Sequence, residues 1–207
     1  MIVMPSSNTG FQCGVLFGRY PKRMAHIQNG DIPKEPSMGF PWALDNGVYG
    51  AWQRGAAWCE EPFYKYLDKY SAWKPMWIVV PDSVGDRDRT LQQWENHWHA
   101  VSAFGHPLAF AVQDGMTPED VPKEADVIFV GGSTSWKWRT LKTWTKSFPR
   151  VHVGRVNTYK LLWQADFAGA ESCDGTGWFR GDRKQLAGLL RYLDESENGG
   201  QLQPCLL

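Results

Sequence analysis

The chain of 207 residues balances 22 lysines and arginines against 22 aspartates and glutamates, so net charge gives no global case for a polyanion partner and any such site must come from local clustering. Cys13, Cys59, Cys173 and Cys205 form no CxxC pair, which argues against a zinc knuckle or a dithiol redox motif and suits a reducing compartment. No signal-peptide pattern and no apolar run of membrane-span length is read, so the expectation is a soluble, cytoplasmic protein without a membrane partner.

Twelve tryptophans are more than a core of this size needs. Their flat apolar faces serve packing or base stacking, and packing is the first reading because several recur at helical spacing. Ile2-Val3-Met4 reads as a short strand broken at Pro5. The polar loop Ser6-Ser7-Asn8-Thr9-Gly10 after it is either a solvated turn or a cradle for phosphate or ribose. Residues 14–18 read as a second strand, and residues 21–41, without periodicity, as a long loop. Trp42-Ala43-Leu44-Asp45 stops at the turn signal Asp45-Asn46-Gly47. The 3–4 spacing of Phe63, Tyr66, Leu67 and Tyr70 predicts a helix over 61–73.

Apolar runs at 76–80, 108–112 and 127–130 have the composition of strands buried on both faces. A helix is expected over 87–103, where His97 and His99 stand two apart and point in different directions, unsuited to sharing a metal. Thr117-Pro118-Glu119-Asp120 reads as a helix start. A further helix is expected over 135–148, and Val151 to Val156 forms a strand with polar insertions. Asn157 is expected to cap a helix over 158–167. The last strand leads into Asp174, Gly175 and Gly177 give freedom for a sharp turn, and a helix follows over 183–193. A loose tail is expected over about 196–207.

Regular alternation of apolar strand, Gly-bearing or polar turn and amphipathic helix predicts a parallel α/β protein. Polar residues at every strand end, with no dinucleotide fingerprint after the first strand, favour a (β/α)8 TIM-type barrel over residues 1–207, whose small size leaves room for irregularity. Its rim would gather Asp45, Asp82, Gln113, Gly131-Gly132, His152 or Arg155, and Asp174. Carboxylates, a carboxamide and an approachable main chain can read the edges of a guanine-like ring. Asp174 is either an aspartate that caps its own turn or a nucleophile for an anomeric carbon. Asp45 is the natural proton shuttle if like charges raise its pKa. A histidine on a barrel strand, such as His152, is first read as structural.

These residues carry a resemblance. Asp45-Asn46-Gly47, Pro81-Asp82, Val112-Gln113-Asp114-Gly115, Val130-Gly131-Gly132 and Ser172-Cys173-Asp174 fall in the order of the base-binding and nucleophile motifs of the tRNA-guanine transglycosylase superfamily. The runs Pro81-Asp82-Ser83-Val84-Gly85-Asp86, Trp136-Lys137, His152-Val153-Gly154-Arg155-Val156-Asn157 and Asp174-Gly175-Thr176-Gly177-Trp178-Phe179-Arg180 are most similar to its short, phage-type DpdA branch. That branch exchanges guanine in DNA for a 7-deazaguanine base. The resemblance implies Asp174 as nucleophile, Asp45 as general acid/base, and Asp82, Gln113, Gly131 and Gly132 as base-binding residues. It implies DNA and a free base such as preQ0 as substrates, and a host-cell cytoplasmic location if the chain is phage-encoded. The Cys-rich zinc site of the tRNA-type enzymes has no counterpart here, so no zinc subdomain, metal or other cofactor is expected.

Nucleic acid would then be held by local patches: Trp136 and Lys137 on the 135–148 helix, Arg155, and Trp178, Phe179 and Arg180 beyond the nucleophile. The alternative for the helix is tryptophan packed inward with lysine outward. A tRNA-acting enzyme, a nucleoside or nucleic-acid N-glycosidase completed by water, and an inactive nucleic-acid-binding barrel stay open beside base exchange. Whether a homodimer or an accessory protein is needed is not legible.

Overall fold

The computed structural model describes residues 1–6, 10–30, 35–36 and 39–199. Eight parallel strands form one sheet that curls into a small (β/α)8 TIM-type barrel. They are β1 (Ile2–Pro5), β2 (His26–Asn29), β3 (Trp42–Asp45), β4 (Ile78–Val79), β5 (Leu108–Val112), β6 (Val127–Val130), β7 (Val151–Val153) and β8 (Ser172–Gly175). Each pairs in register with its neighbour round to β1 against β8, where Met4 lies opposite Asp174. The circle closes more thinly between β1 and β2, through the isolated bridges Val3 to Met24 and Ser6 to Ile27.

The strand period of two sorts side chains to the two faces of this wall. Inside lie Met4, Ala25, Ile27, Ala43, Trp77, Val79, Ala109, Ala111 and Val127, the one indole standing edge-on to Phe129 and His152. Outside, the larger core packs the strands against α1 (Phe11–Arg19), α2 (Val48–Gln53), α3 (Glu60–Tyr70), α4 (Arg87–Ser102), α5 (Thr134–Ser147), α6 (Tyr159–Phe167) and α7 (Arg183–Glu197). Trp42, Trp94, Trp136, Trp144 and Trp178 are buried in that outer layer, so packing accounts for much of the tryptophan content.

Several local expectations are corrected. Residues 14–18 are helical, part of α1: Cys13, Leu16, Phe17 and Tyr20 recur at helical spacing and are buried, while Gly14 and Gly18 face open space. The apolar run hid a 3–4 period. The presumed loop 21–41 contains β2, whose sequence HIQN carries a single apolar residue, Ile27, although it lies within the sheet. Thr117 does form a capping box with Asp120, but only a 3-10 turn, Pro118–Asp120, follows. Pro122 stops it by forcing Val121 to extended geometry. The cap of α6 is Thr158, whose hydroxyl accepts from the Leu161 N–H, and Asn157 instead accepts the Gly177 N–H at 2.9 Å. α7 runs through Glu197, so Ser196 and Glu197 are helical rather than loose. Ser7, Asn8 and Thr9 of the polar loop, and Cys205 with the end of the tail, lie outside the described residues.

Candidate active site

Strand alternation puts Ser172 and Asp174 on the inner face of β8, and Cys173, between them, in the outer core. The Asp174 carboxylate therefore points into the barrel and does not cap its own turn. Its Oδ1 accepts two hydrogen bonds, from the Arg155 backbone N–H at 2.9 Å and from His152 Nε2 at 3.3 Å. His152 is fully buried, flanked by Trp77 and Phe129, and its Nδ1 meets Ser172 Oγ at 2.9 Å. With Nε2 donating to the carboxylate, Nδ1 accepts from the serine hydroxyl, which fixes ring and tautomer.

Arg155 reaches Asp174 through an unusual backbone. It has φ 61°, a left-handed conformation that non-glycine residues seldom adopt. Its side chain supplies compensation: Nη1 donates to Tyr49 Oη at 3.0 Å, Nη2 donates to the Gly132 carbonyl, and the guanidinium lies 4.7 Å from the Tyr49 ring centre. Gly175 and Gly177 have negative φ, so their role is space and not the conformational freedom expected of them. A Cβ on Gly175 would stand 2.6 Å from the Val156 carbonyl oxygen and 2.7 Å from the Trp178 ring.

Asp45 ends β3 and accepts the Gly47 N–H at 3.3 Å, Gly47 itself having φ 84°. Burial, then the charge of Asp174 and more weakly that of Asp82, push its pKa up to about 7. Asp82 lies in a network: its Oδ1 accepts from Asn46 Nδ2 at 2.9 Å and its Oδ2 from Gln113 Nε2 at 2.6 Å. Burial raises it to about 6 against these bonds. Gln113 Oε1 in turn accepts the N–H groups of Gly85 at 3.0 Å and Gly132 at 3.2 Å. Gln113 thus braces the two rim loops on either side of it, a tighter engagement than the free base-reading amide the sequence suggested.

Asp45, Asp82, Gln113, Gly131, Gly132 and Asp174 all line one cavity of about 520 Å3 at the C-terminal end of the barrel, with Arg155 and Arg180 on its wall. Such a volume suits a small organic ligand. The other residues expected to meet nucleic acid are placed elsewhere. Trp136 and Lys137 belong to the buried stripe of α5, and Trp178 is 1% exposed against the core. Phe179 is half-buried against the same core. Lys137 Nζ donates to the Gly154 carbonyl, and burial, then the Arg155 charge, lower its pKa to about 8. It supports the turn behind Asp174 and is not available to a phosphate.

The sequence reading passed over Asn46 and Tyr49, which position Asp82 and Arg155. Asn46 stood in a motif read as a turn and, in the resemblance, credited with a role only at Asp45. Tyr49 lies on α2, a six-residue helix too short to show a period. Among the described residues no group of three or more His, Cys, Asp or Glu is arranged to hold a metal, and no helix is long and apolar enough to cross a membrane. The chain matches no protein-family model and no curated protein sequence.

Proposed function

We propose that the barrel is a base-exchange glycosyltransferase that replaces guanine in DNA with a 7-deazaguanine base through a covalent glycosyl ester on Asp174. The observation that carries the reading is a pair of interior carboxylates on one cavity with divided roles. Asp174 is anchored by two donors on Oδ1, leaving Oδ2 to attack, while Asp45 is held near neutrality as an acid. Paired carboxylates of this kind serve displacement at an anomeric carbon, one as nucleophile and one as proton carrier.

In the first displacement Asp174 Oδ2 bonds to C1′ and the C1′–N9 bond breaks with its electron pair on the base. Asp45 gives the leaving guanine its proton. In the second, Asp45 takes the proton of the incoming base, whose ring nitrogen attacks C1′ and expels Asp174. Two inversions retain configuration. The Asp82 carboxylate and the main-chain carbonyls of Gly131 and Gly132 offer acceptors for the edge of a planar ring, and Gln113 holds Asp82 and the Gly132 peptide in place.

The test is to incubate the protein with guanine-containing DNA and excess preQ0, then digest the DNA and analyse nucleosides by mass spectrometry. A 7-deazaguanine nucleoside formed by the wild type and not by Asp174→Asn supports base exchange. Guanine release that leaves abasic sites would replace the reading with an N-glycosidase. Incorporation into tRNA alone would replace DNA as the substrate.

A further inference from the structure

The cavity mouth carries an aromatic and cationic surface that the chemistry above does not use. On α2, Val48 and Ala51 are buried, whereas Trp52 is 58% exposed, the most open of the twelve tryptophans. Its ring centre is 5.7 Å from that of Tyr49 at an interplanar angle of 30°. Tyr49 in turn carries the Arg155 guanidinium, so Arg155, Tyr49 and Trp52 run in contact from the peptide that holds Asp174 out to solvent. Arg54 and Arg180, both exposed, line the same cavity. Among the described residues neither Arg155 nor Arg180 makes an ion pair with a carboxylate. Guanidinium groups thus stand on the wall of a cavity that also holds Asp45, Asp82 and Asp174, beside an open indole.

We infer that Trp52 stacks on the base of the nucleotide next to the one that enters the cavity, while Arg155 and Arg180 hold the phosphodiester between them. The ligand of this rim is therefore a single-stranded stretch of nucleic acid. Its identity rests on the base-exchange reading. Three arguments support it. The cavity admits one nucleotide, so a neighbouring base needs a surface outside. An extruded or unpaired base loses its stacking partner, and an exposed indole face replaces it without regard to sequence. Guanidinium groups beside that face match a phosphate in charge and shape.

The experiment measures fluorescence anisotropy of a short labelled single-stranded oligodeoxynucleotide containing one guanine. It is titrated with catalytically disabled Asp174→Asn protein and with the same protein carrying Trp52→Ala or Trp52→Phe. Trp52→Ala is expected to weaken binding roughly ten-fold, and Trp52→Phe, which keeps an aromatic face, only about two-fold. Arg180→Ala is expected to weaken binding and to flatten its salt dependence. Because Trp52 is exposed, these variants are expected to fold, which circular dichroism checks. Equal binding by the parent and Trp52→Ala would overturn the inference. In parallel, base exchange is followed in proteins with Asp174 intact. Trp52-dependent binding with no exchange would support the rim and remove the chemistry. Full exchange by Trp52→Ala with an unchanged KM for the oligonucleotide would do the reverse.

Discussion

In the proposed chemistry Asp45 ties stability and reaction to one proton. Its pKa in the fold is about 7, against an ordinary 3.8, so the fold favours the protonated form. That contribution is complete below the ordinary value and is lost as pH rises through about 7. Asp45→Asn should therefore be more stable than wild type at pH 8, by about 1–2 kcal/mol once screening by cavity water is allowed for, and little different near pH 4. Thermal melts at the two pH values check this. The same substitution should slow base exchange by roughly 10²–10⁴-fold, and the wild-type rate should decline above about pH 7 as Asp45 ionises. Arg155 offers a second test. Arg155→Gly and Arg155→Ala both keep the N–H on Asp174 and both lose the side-chain bonds, but only glycine relieves the φ of 61°. Arg155→Ala should be the less stable of the two by about 1 kcal/mol in urea denaturation.

The elements that build the rim are short, and their glycines are doing different jobs. Gly132 has φ 63°, and a Cβ there would lie 2.7 Å from Asp114 Oδ2 and 2.7 Å from the Trp136 ring. Gly115 has φ 83° but open space around it. Gly132→Ala should cost more than about 2 kcal/mol and Gly115→Ala about 1 kcal/mol, a contrast that denaturant unfolding resolves. At this scale the sequence was legible where one period dominated. β5 and β6 have the expected bounds because four or five consecutive apolar residues, closed by a polar or glycine turn, leave a buried strand as the economical reading. α1 was misread because Gly14 and Gly18 framed an apolar run that looked like a strand. β2 was missed because Ile27 is its one apolar residue, set between the buried polar side chains His26 and Gln28, too few to mark a period.

For the whole molecule, barrel closure brings the candidate site together. Asp45, Asp82, Gln113 and Asp174 stand on separate strand ends, and only the circular order of the sheet places them on one cavity. Their positions were legible because each polar residue interrupts or ends an apolar run. The proposed nucleic-acid surface was not, because Lys137, a residue type usually exposed, and Trp178, beside the strand end, are both buried by packing, while Trp52 occupies a helix with no sequence signature. The barrel also has a weak seam. β1 meets β2 through two isolated bridges, whereas β5 and β6 pair at four positions. Native-state hydrogen exchange should show the Ala25 amide, which bonds across that seam to Val3, opening at lower free energy than the amides of β6. Uniform protection around the barrel would contradict this.

The central claim is that Asp174 bonds to the sugar. Its most direct test is intact-protein mass spectrometry of a reaction with guanine-containing oligodeoxynucleotide, quenched in acid without added free base, followed by peptide mapping. The predicted result is a protein–oligonucleotide adduct, lacking one guanine, on the peptide that contains Asp174 and absent from Asp174→Asn. Guanine released with no adduct on Asp174, or an adduct on another residue, would contradict it.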